Sequence, residues 1–276
     1  MKCYPVLHFV LETAKSVLST PFYNFKMIQS VIILSTKHDG EQLATLYRGI
    51  NAKLAITIVS SHVELIKLPR SLLKKSRLIS FLSTVIVPKD ILNHLKFEAY
   101  NFHPGTPTRA GLASHNFAIF HKDEYFGTTL HKMAEFVDTG PIVGVDIFRI
   151  PKGSNSLQLS NLVIGSLTRL VSNSAENLIV SNESLPILPI VWGGAKYNKK
   201  DLIEITKFKS NIKKLDLDLL VRAFGDGNPM AQLRFSENEV IYYYEPDKGE
   251  FKQSTSIERY LHGYRFVCRS SNPLPM

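Results

Sequence analysis

Short apolar runs separated by amphipathic stretches set the organisation of most of the chain. SVIILS (30–35) is a β-branched run without alternation, the pattern of a strand covered on both faces. It gives way to TKHDGEQ, in which Asp39-Gly40-Glu41 reads as a turn. Helical spacing follows at Leu43, Leu46 and Ile50, and LAITIVSS (54–61) is the next strand. SLLKKSRLISFLSTVIVPKDILNHL contains a helix end, an apolar strand and a loop at Pro88, and EAYNFH is a further strand. GLASHNFAIFH has a helical pattern, and GTTLHKMAEF and GPIVGVDIFRI read as strands on either side of a VDTG turn. Apolar residues at Leu159, Leu162, Val163, Leu167, Leu170, Val171 and Leu178 then mark a long amphipathic helix. Strands alternating with helical patterns predict an α/β fold built from βαβ units around a mainly parallel sheet.

The pattern changes at NESLPILPIVWGG (182–194), where prolines and glycines suggest a linker. Beyond it, NIKKLDLDLLVRAF carries one helix, and AQLRF and EVIYYY form a hairpin across Ser236–Asn238. The expected division is an N-terminal extension (1–28), a large α/β domain (29–187) and a small C-terminal α+β domain (188–276). The first 26 residues read as a loosely attached helix or as an extension ahead of a start at Met27. His8, Glu12 and Lys15 interrupt the apolar stretch that a cleaved signal would need. No repeat or low-complexity tract is present.

Composition narrows the class. The chain has 276 residues, 44% hydrophobic and 21% charged, with mean hydropathy close to zero, which is ordinary globular usage. No apolar run reaches the roughly 18 residues of a spanning helix. Two cysteines, Cys3 and Cys268, form neither a disulfide framework nor a metal-ligand spacing, and favour a reducing cytoplasm. A net charge of +9 suits polyanionic partners such as RNA, nucleotides, polyglutamylated cofactors or phosphates, and equally suits surface solubility, because the lysines are scattered.

The chemistry gathers at AYNFHPGTP (99–107). In an open α/β sheet, sites form at the carboxyl ends of strands, and this stretch ends one. Asn101 and His103, at i and i+2 of an extended segment, point the same way. An amide can stabilise a carbonyl oxygen that gains negative charge, and an imidazole can move protons near neutral pH. The pair alone is equally the content of a structural turn. A second segment, TLHKMAEFVDTGPIV (129–143), adds Asp138 in a small-residue turn, Thr139-Gly140, where an aspartate alone would read as a cap for local backbone donors.

Together, NFHPG and the later EFVDTG resemble the folate-dependent formyltransferase family, which includes methionyl-tRNA, glycinamide ribonucleotide and sugar-nucleotide N-formyltransferases. The family carries Asn-x-His-Pro at a strand end and, roughly 35 residues on, an aspartate in a Val/Leu-Asp-Thr/Ala-Gly turn. The resemblance covers residues 29–185 and more loosely the tail, at YNKKDLIEI and LLVRAF. It implies a Rossmann-like formyltransferase domain, 10-formyltetrahydrofolate as donor, a primary amine as acceptor and no metal. It implies that Asn101 holds the formyl oxygen, His103 shuttles the proton, and Asp138 holds a water or the imidazole. It places the folate against two loops, Thr84, Val85, Ile86 and Val87, and Glu135, Phe136 and Val137. His131 matches a histidine of one branch and reads as a core or supporting residue.

Departures from the family bear on the acceptor. Asp39-Gly40-Glu41 stands where glycinamide ribonucleotide enzymes have a phosphate-binding Gly-Ser-Asn turn. HPGTPTRAGLASHNFAIF is one residue shorter than the corresponding methionyl-tRNA stretch, with Arg109-Ala110-Gly111 in place of Arg-Gly. The tail is shorter than a full tRNA-binding β-barrel domain, although Lys196, Lys199, Lys200, Lys207, Lys209, Lys213 and Lys214 offer a basic surface. The reading is a methionyl-tRNA formyltransferase-like enzyme. The alternatives are a sugar-nucleotide or other small-amine N-formyltransferase, a formyltetrahydrofolate hydrolase, and a non-catalytic folate- or RNA-binding relative. A membrane partner is not expected.

Overall fold

The computed structural model of the chain describes residues 28–208, 212–226, 232–237, 240–253, 258–261 and 264–267. The chain divides into two compact units, 1–197 and 198–276. The expectations for residues 1–26, Cys3 and Cys268 lie outside the described residues.

The first unit is built on six strands in the order β2-β1-β3-β4-β5-β6. β1 (Ser30–Leu34), β2 (Ala55–Val59), β3 (Ser76–Phe81) and β4 (Tyr100–His103) run parallel; β5 (Tyr125–Lys132) and β6 (Ile142–Arg149) continue the sheet antiparallel. The expected α/β fold with a mainly parallel sheet is therefore present. Every residue of β1 and β3 is buried, because helices cover both faces of these central strands. On one side, Ile32, Leu34 and Val59 pack with Leu65, Leu73, Leu78 and Ile91.

α1 (Lys37–Ile50) begins earlier than its apolar spacing predicts and absorbs the expected turn at Asp39-Gly40-Glu41. Thr36 is the cause: its hydroxyl accepts the Asp39 N–H at 3.1 Å and caps the helix. Gly40 is buried, and a Cβ there would lie 2.7 Å from the Ile58 side chain, so its lack of a side chain lets α1 close on β2. Three short helices that the pattern does not resolve, α2 (His62–Ile66), α3 (Arg70–Leu73) and α4 (Lys89–His94), lie along the connections either side of β3. α5 (Ser114–Phe120) follows β4. α6 (Ser156–Ile179) is the long amphipathic helix, started by a reciprocal Asn155–Gln158 capping box and packed on β5 and β6.

The far end of α6 is held by Arg77, a fully buried guanidinium on β3. Nη1 donates to the carbonyls of Leu178 (2.6 Å) and Ser181 (3.1 Å), and Nη2 to Glu183 (2.8 Å). The cation also lies 5.4 Å from the Tyr100 ring centre. A positive charge at a helix C-terminus satisfies carbonyls that the helix leaves unpaired. Replacing Arg77 with methionine keeps most of the stem and removes the donors. Urea unfolding of that variant should show a loss of about 3 kcal/mol, the cost of stranding buried polar partners.

The second unit holds α7 (Lys199–Ile205), β7 (Lys207–Phe208), α8 (Lys214–Phe224), β8 (Arg234–Glu237), β9 (Val240–Glu245) and β10 (Glu250–Gln253), with β11 (Glu258–Leu261) and β12 (Tyr264–Val267) as a separate pair. The predicted α8 and the β8–β9 hairpin are present. α7 is additional to the single helix read from sequence, and Asn198, capping the Asp201 N–H, starts it. Among the described residues, no helix is long and apolar enough to cross a membrane.

Candidate active site

β4 carries Asn101 and His103 on one face at the carboxyl end of the sheet. β5 runs antiparallel beside it, in a register that sets His131 opposite Asn101 and Thr129 opposite His103. Directly opposed residues share a face, so four polar side chains converge there. Asn101 Nδ2 lies 3.2 Å from His131 Nε2. The loop from β5 to β6 brings in Asp138, whose φ of 51° is left-handed, a conformation that aspartate tolerates better than most residues. Its carboxylate sits between two imidazoles: Oδ2 is 3.6 Å from His103 Nδ1 and Oδ1 is 3.6 Å from His131 Nε2. Oδ2 also accepts the Gly111 N–H at 2.9 Å.

Two glycines of the motifs are dictated by close approach. A Cβ on Gly140 would lie 1.9 Å from the Lys132 carbonyl oxygen, where the Asp138 loop folds back against β5. A Cβ on Gly105 would lie 2.5 Å from His103 Nε2 and 2.8 Å from the Arg109 carbonyl oxygen. The glycine of HPG thus leaves room for the imidazole to lie against that carbonyl, to which His103 Nε2 donates at 3.0 Å.

Hydrogen-bond partners fix the roles of the ring nitrogens. A carbonyl oxygen only accepts, so His103 carries its proton on Nε2 and His131 on Nδ1, which faces the Lys132 carbonyl at 2.8 Å. In the neutral rings, His131 Nε2 accepts from Asn101, and His103 Nδ1 offers a lone pair beside Asp138. Burial pushes the Asp138 carboxyl up, but hydrogen bonding from His131 and the charge of His103, both supplied by the rings in their charged forms, together with the Gly111 N–H outweigh it and hold the pKa at about 2. Burial pushes the His103 imidazole below its ordinary value, and the Asp138 carboxylate pulls the other way.

The shift of Asp138 predicts a pH dependence of stability. A carboxyl lowered from 3.8 to about 2 stabilises the fold above the unfolded value and loses that contribution as pH falls through the folded one. It is worth about 2 kcal/mol at neutral pH. Asp138→Asn should be less stable than the parent by about that amount near neutrality. The gap in unfolding free energy should close as pH falls from 3.8 toward 2.

The family model described as formyl transferase matches residues 80–164, the stretch that contains Asn101, His103, His131 and Asp138. Over this stretch the chain is similar to the formyl transferase family. A methionyl-tRNA formyltransferase of Ehrlichia ruminantium (strain Welgevonden) is 34% identical over 190 residues, which are 64% of this chain and 58% of the relative. The chain thus spans a little over half the length of that curated relative. Among solved structures, a 4-N formyltransferase from Francisella tularensis shares the fold, with a TM-score of 0.60 at 15% identity, over 83% of this chain and 97% of that one. An N-formyltransferase from Helicobacter canadensis, solved with folinic acid and dTDP-3-aminofucose, has a TM-score of 0.53 at 18% identity, over 78% and 86% of the two chains.

The other sequence-derived positions fall as follows. Thr84, Val85, Ile86 and Val87 form an irregular loop after β3; Val87 enters the core, whereas Ile86 is 65% exposed. Glu135, Phe136 and Val137 lie in the loop before Asp138, with Phe136 71% exposed. Lys89, at the start of α4, forms an ion pair of 2.7 Å with Glu135. Arg109, whose reach was open in the sequence, is bound bidentately to Asp123 at 2.7 and 2.6 Å. His131 supports Asn101, and its place opposite Asn101 is readable once β4 and β5 are paired. No local sequence signal marks Trp192. It lies in the expected linker, yet its ring centre is 5.6 Å from that of His103 and 5.0 Å from that of His131.

Proposed function

We propose that the chain transfers a formyl group from 10-formyltetrahydrofolate to a primary amine. The observation that carries this reading is the convergence of Asn101, His103 and Asp138 at the end of β4, with a donor amide and a buried imidazole beside an ionised carboxylate. The amine nitrogen attacks the formyl carbon, and the carbonyl π electrons move to its oxygen. Asn101 Nδ2 uses one N–H toward His131 and has a second for that oxyanion. His103 Nδ1 takes the proton from the attacking nitrogen, and the imidazolium so formed is balanced by Asp138. The proton then passes to the departing folate nitrogen as the carbon–nitrogen bond breaks, leaving tetrahydrofolate and a formamide. The backbone of Thr84–Val87 and of Glu135–Val137 is assigned to the pterin.

For the acceptor, the relative at 34% identity favours methionyl-tRNA. A nucleotide-linked amino sugar is the second reading, favoured by the dTDP-3-aminofucose bound in the Helicobacter neighbour and by the loop after β4, whose Arg109 is committed to Asp123. The two are separated by supplying 10-formyltetrahydrofolate with each acceptor and finding the added formyl group by mass spectrometry. Formylation of methionyl-tRNA alone supports the first reading, and of the amino sugar alone the second.

A further inference from the structure

Residues 188–197 have the proline and glycine content of a linker, but they are stitched to the loops on both sides of the site. Leu188 N–H donates to the Ile142 carbonyl (2.9 Å) and Gly193 N–H to the Pro107 carbonyl (3.0 Å), while the Tyr197 carbonyl accepts from Leu112 N–H (3.0 Å). Gly194 has a φ of +72°, and a Cβ there would lie 2.2 Å from the Thr108 carbonyl oxygen, so this glycine serves close contact. The Tyr197 ring stacks on Phe117 with centres 3.7 Å apart, and its hydroxyl is 2.6 Å from His121 Nε2. The segment is therefore a strap that joins the loop after β4 to the loop after β5.

Trp192 is the part of the strap that meets the chemistry. Its Nε1–H donates to the Gly140 carbonyl at 2.7 Å, which fixes the indole to the Asp138 turn. Its plane is near-perpendicular to both imidazoles, at 74° to His103 and 89° to His131, the edge-to-face range for aromatic pairs. One half-buried ring thus covers both histidines that flank Asp138.

We propose that Trp192 is a positioning residue of this centre: it shields the His103–Asp138–His131 cluster from water and holds both rings in register, keeping His103 Nδ1 beside the carboxylate and His131 Nε2 on Asn101. The inference rests on the formyl-transfer reading for its purpose, but its contacts do not. The groups acting on His103 are Asp138, His131 and Lys196, together with the Arg109 carbonyl. Lys196 belongs to the same strap and donates to the Val137 carbonyl.

Trp192 is the sole tryptophan, so intrinsic fluorescence reports on this place alone. A protonated imidazole in contact quenches indole emission, and a neutral one does so far less. Emission should fall as pH drops below the ordinary histidine range, where the buried His103 imidazole takes up its proton. The fall should be lost in His103→Asn. A flat titration, or one unchanged in His103→Asn, overturns the assignment. In turnover, Trp192→Ala should lower kcat on the order of 10- to 100-fold, with KM for donor and acceptor little changed, as for a misplaced catalytic group. The acid limb of its kcat profile should move to higher pH as water reaches His103, and Trp192→Phe should recover most of the rate. Loss of kcat with the acid limb unmoved overturns the shielding role. The titration needs no substrate: a normal titration in an inactive chain contradicts the formyl-transfer reading, whereas a flat one in an active chain contradicts the role of Trp192.

Discussion

His103→Ala should lower kcat for formyl transfer by about 10²- to 10⁴-fold, the usual contribution of a general acid–base group. The imidazole is buried, its Nε2 is held by the Arg109 carbonyl, and its Nδ1 lies 3.6 Å from Asp138. The pH profile supplies the sign. His103 accepts a proton only when neutral, and burial places its pKa below the ordinary histidine value. The rate should therefore hold as pH falls through the ordinary histidine range and drop only below it. Retention of activity within a few-fold in His103→Ala would remove the residue from the chemistry.

Asn101→Ala should cost about 10²- to 10³-fold in kcat, the range for losing one donor to a developing oxyanion. Asn101→Asp is the sharper probe. It keeps the size of the side chain and replaces the donor with a carboxylate that repels the oxyanion, close to an already ionised Asp138. Its kcat should fall at least as far as that of the alanine variant, and donor binding, measured by tetrahydrofolate titration, should change much less. Equal losses in binding and rate would make Asn101 a folate contact, not an oxyanion donor.

The sequence was most informative where one physical signal dominated. SVIILS became a strand buried on both faces because β-branched apolar residues admit little else, and the apolar stripe of Leu159–Leu178 became α6. Asn101 and His103 share a face because strand geometry alternates. Signals failed where two competed. Thr36-Lys37-His38-Asp39 has the spacing of a capped helix start, but Asp39-Gly40 is also a turn dipeptide; the cap won because Gly40 packs against Ile58. The part of His131 in the site depended on the β4–β5 register, a long-range property that local pattern does not carry. Trp192 was hidden by composition: Pro-Gly content reads as flexible chain, while Gly194 in fact permits contact with Thr108.

The central claim is tested most directly by adding the intact chain to 10-formyltetrahydrofolate, with and without candidate amines, and following tetrahydrofolate release together with the mass of the amine. The account predicts release that depends on an amine and is matched by a product heavier by one formyl group. Release without any amine would make the chain a hydrolase. No release with any amine, from a protein that binds tetrahydrofolate, would contradict the assignment of Asn101, His103 and Asp138 to formyl transfer.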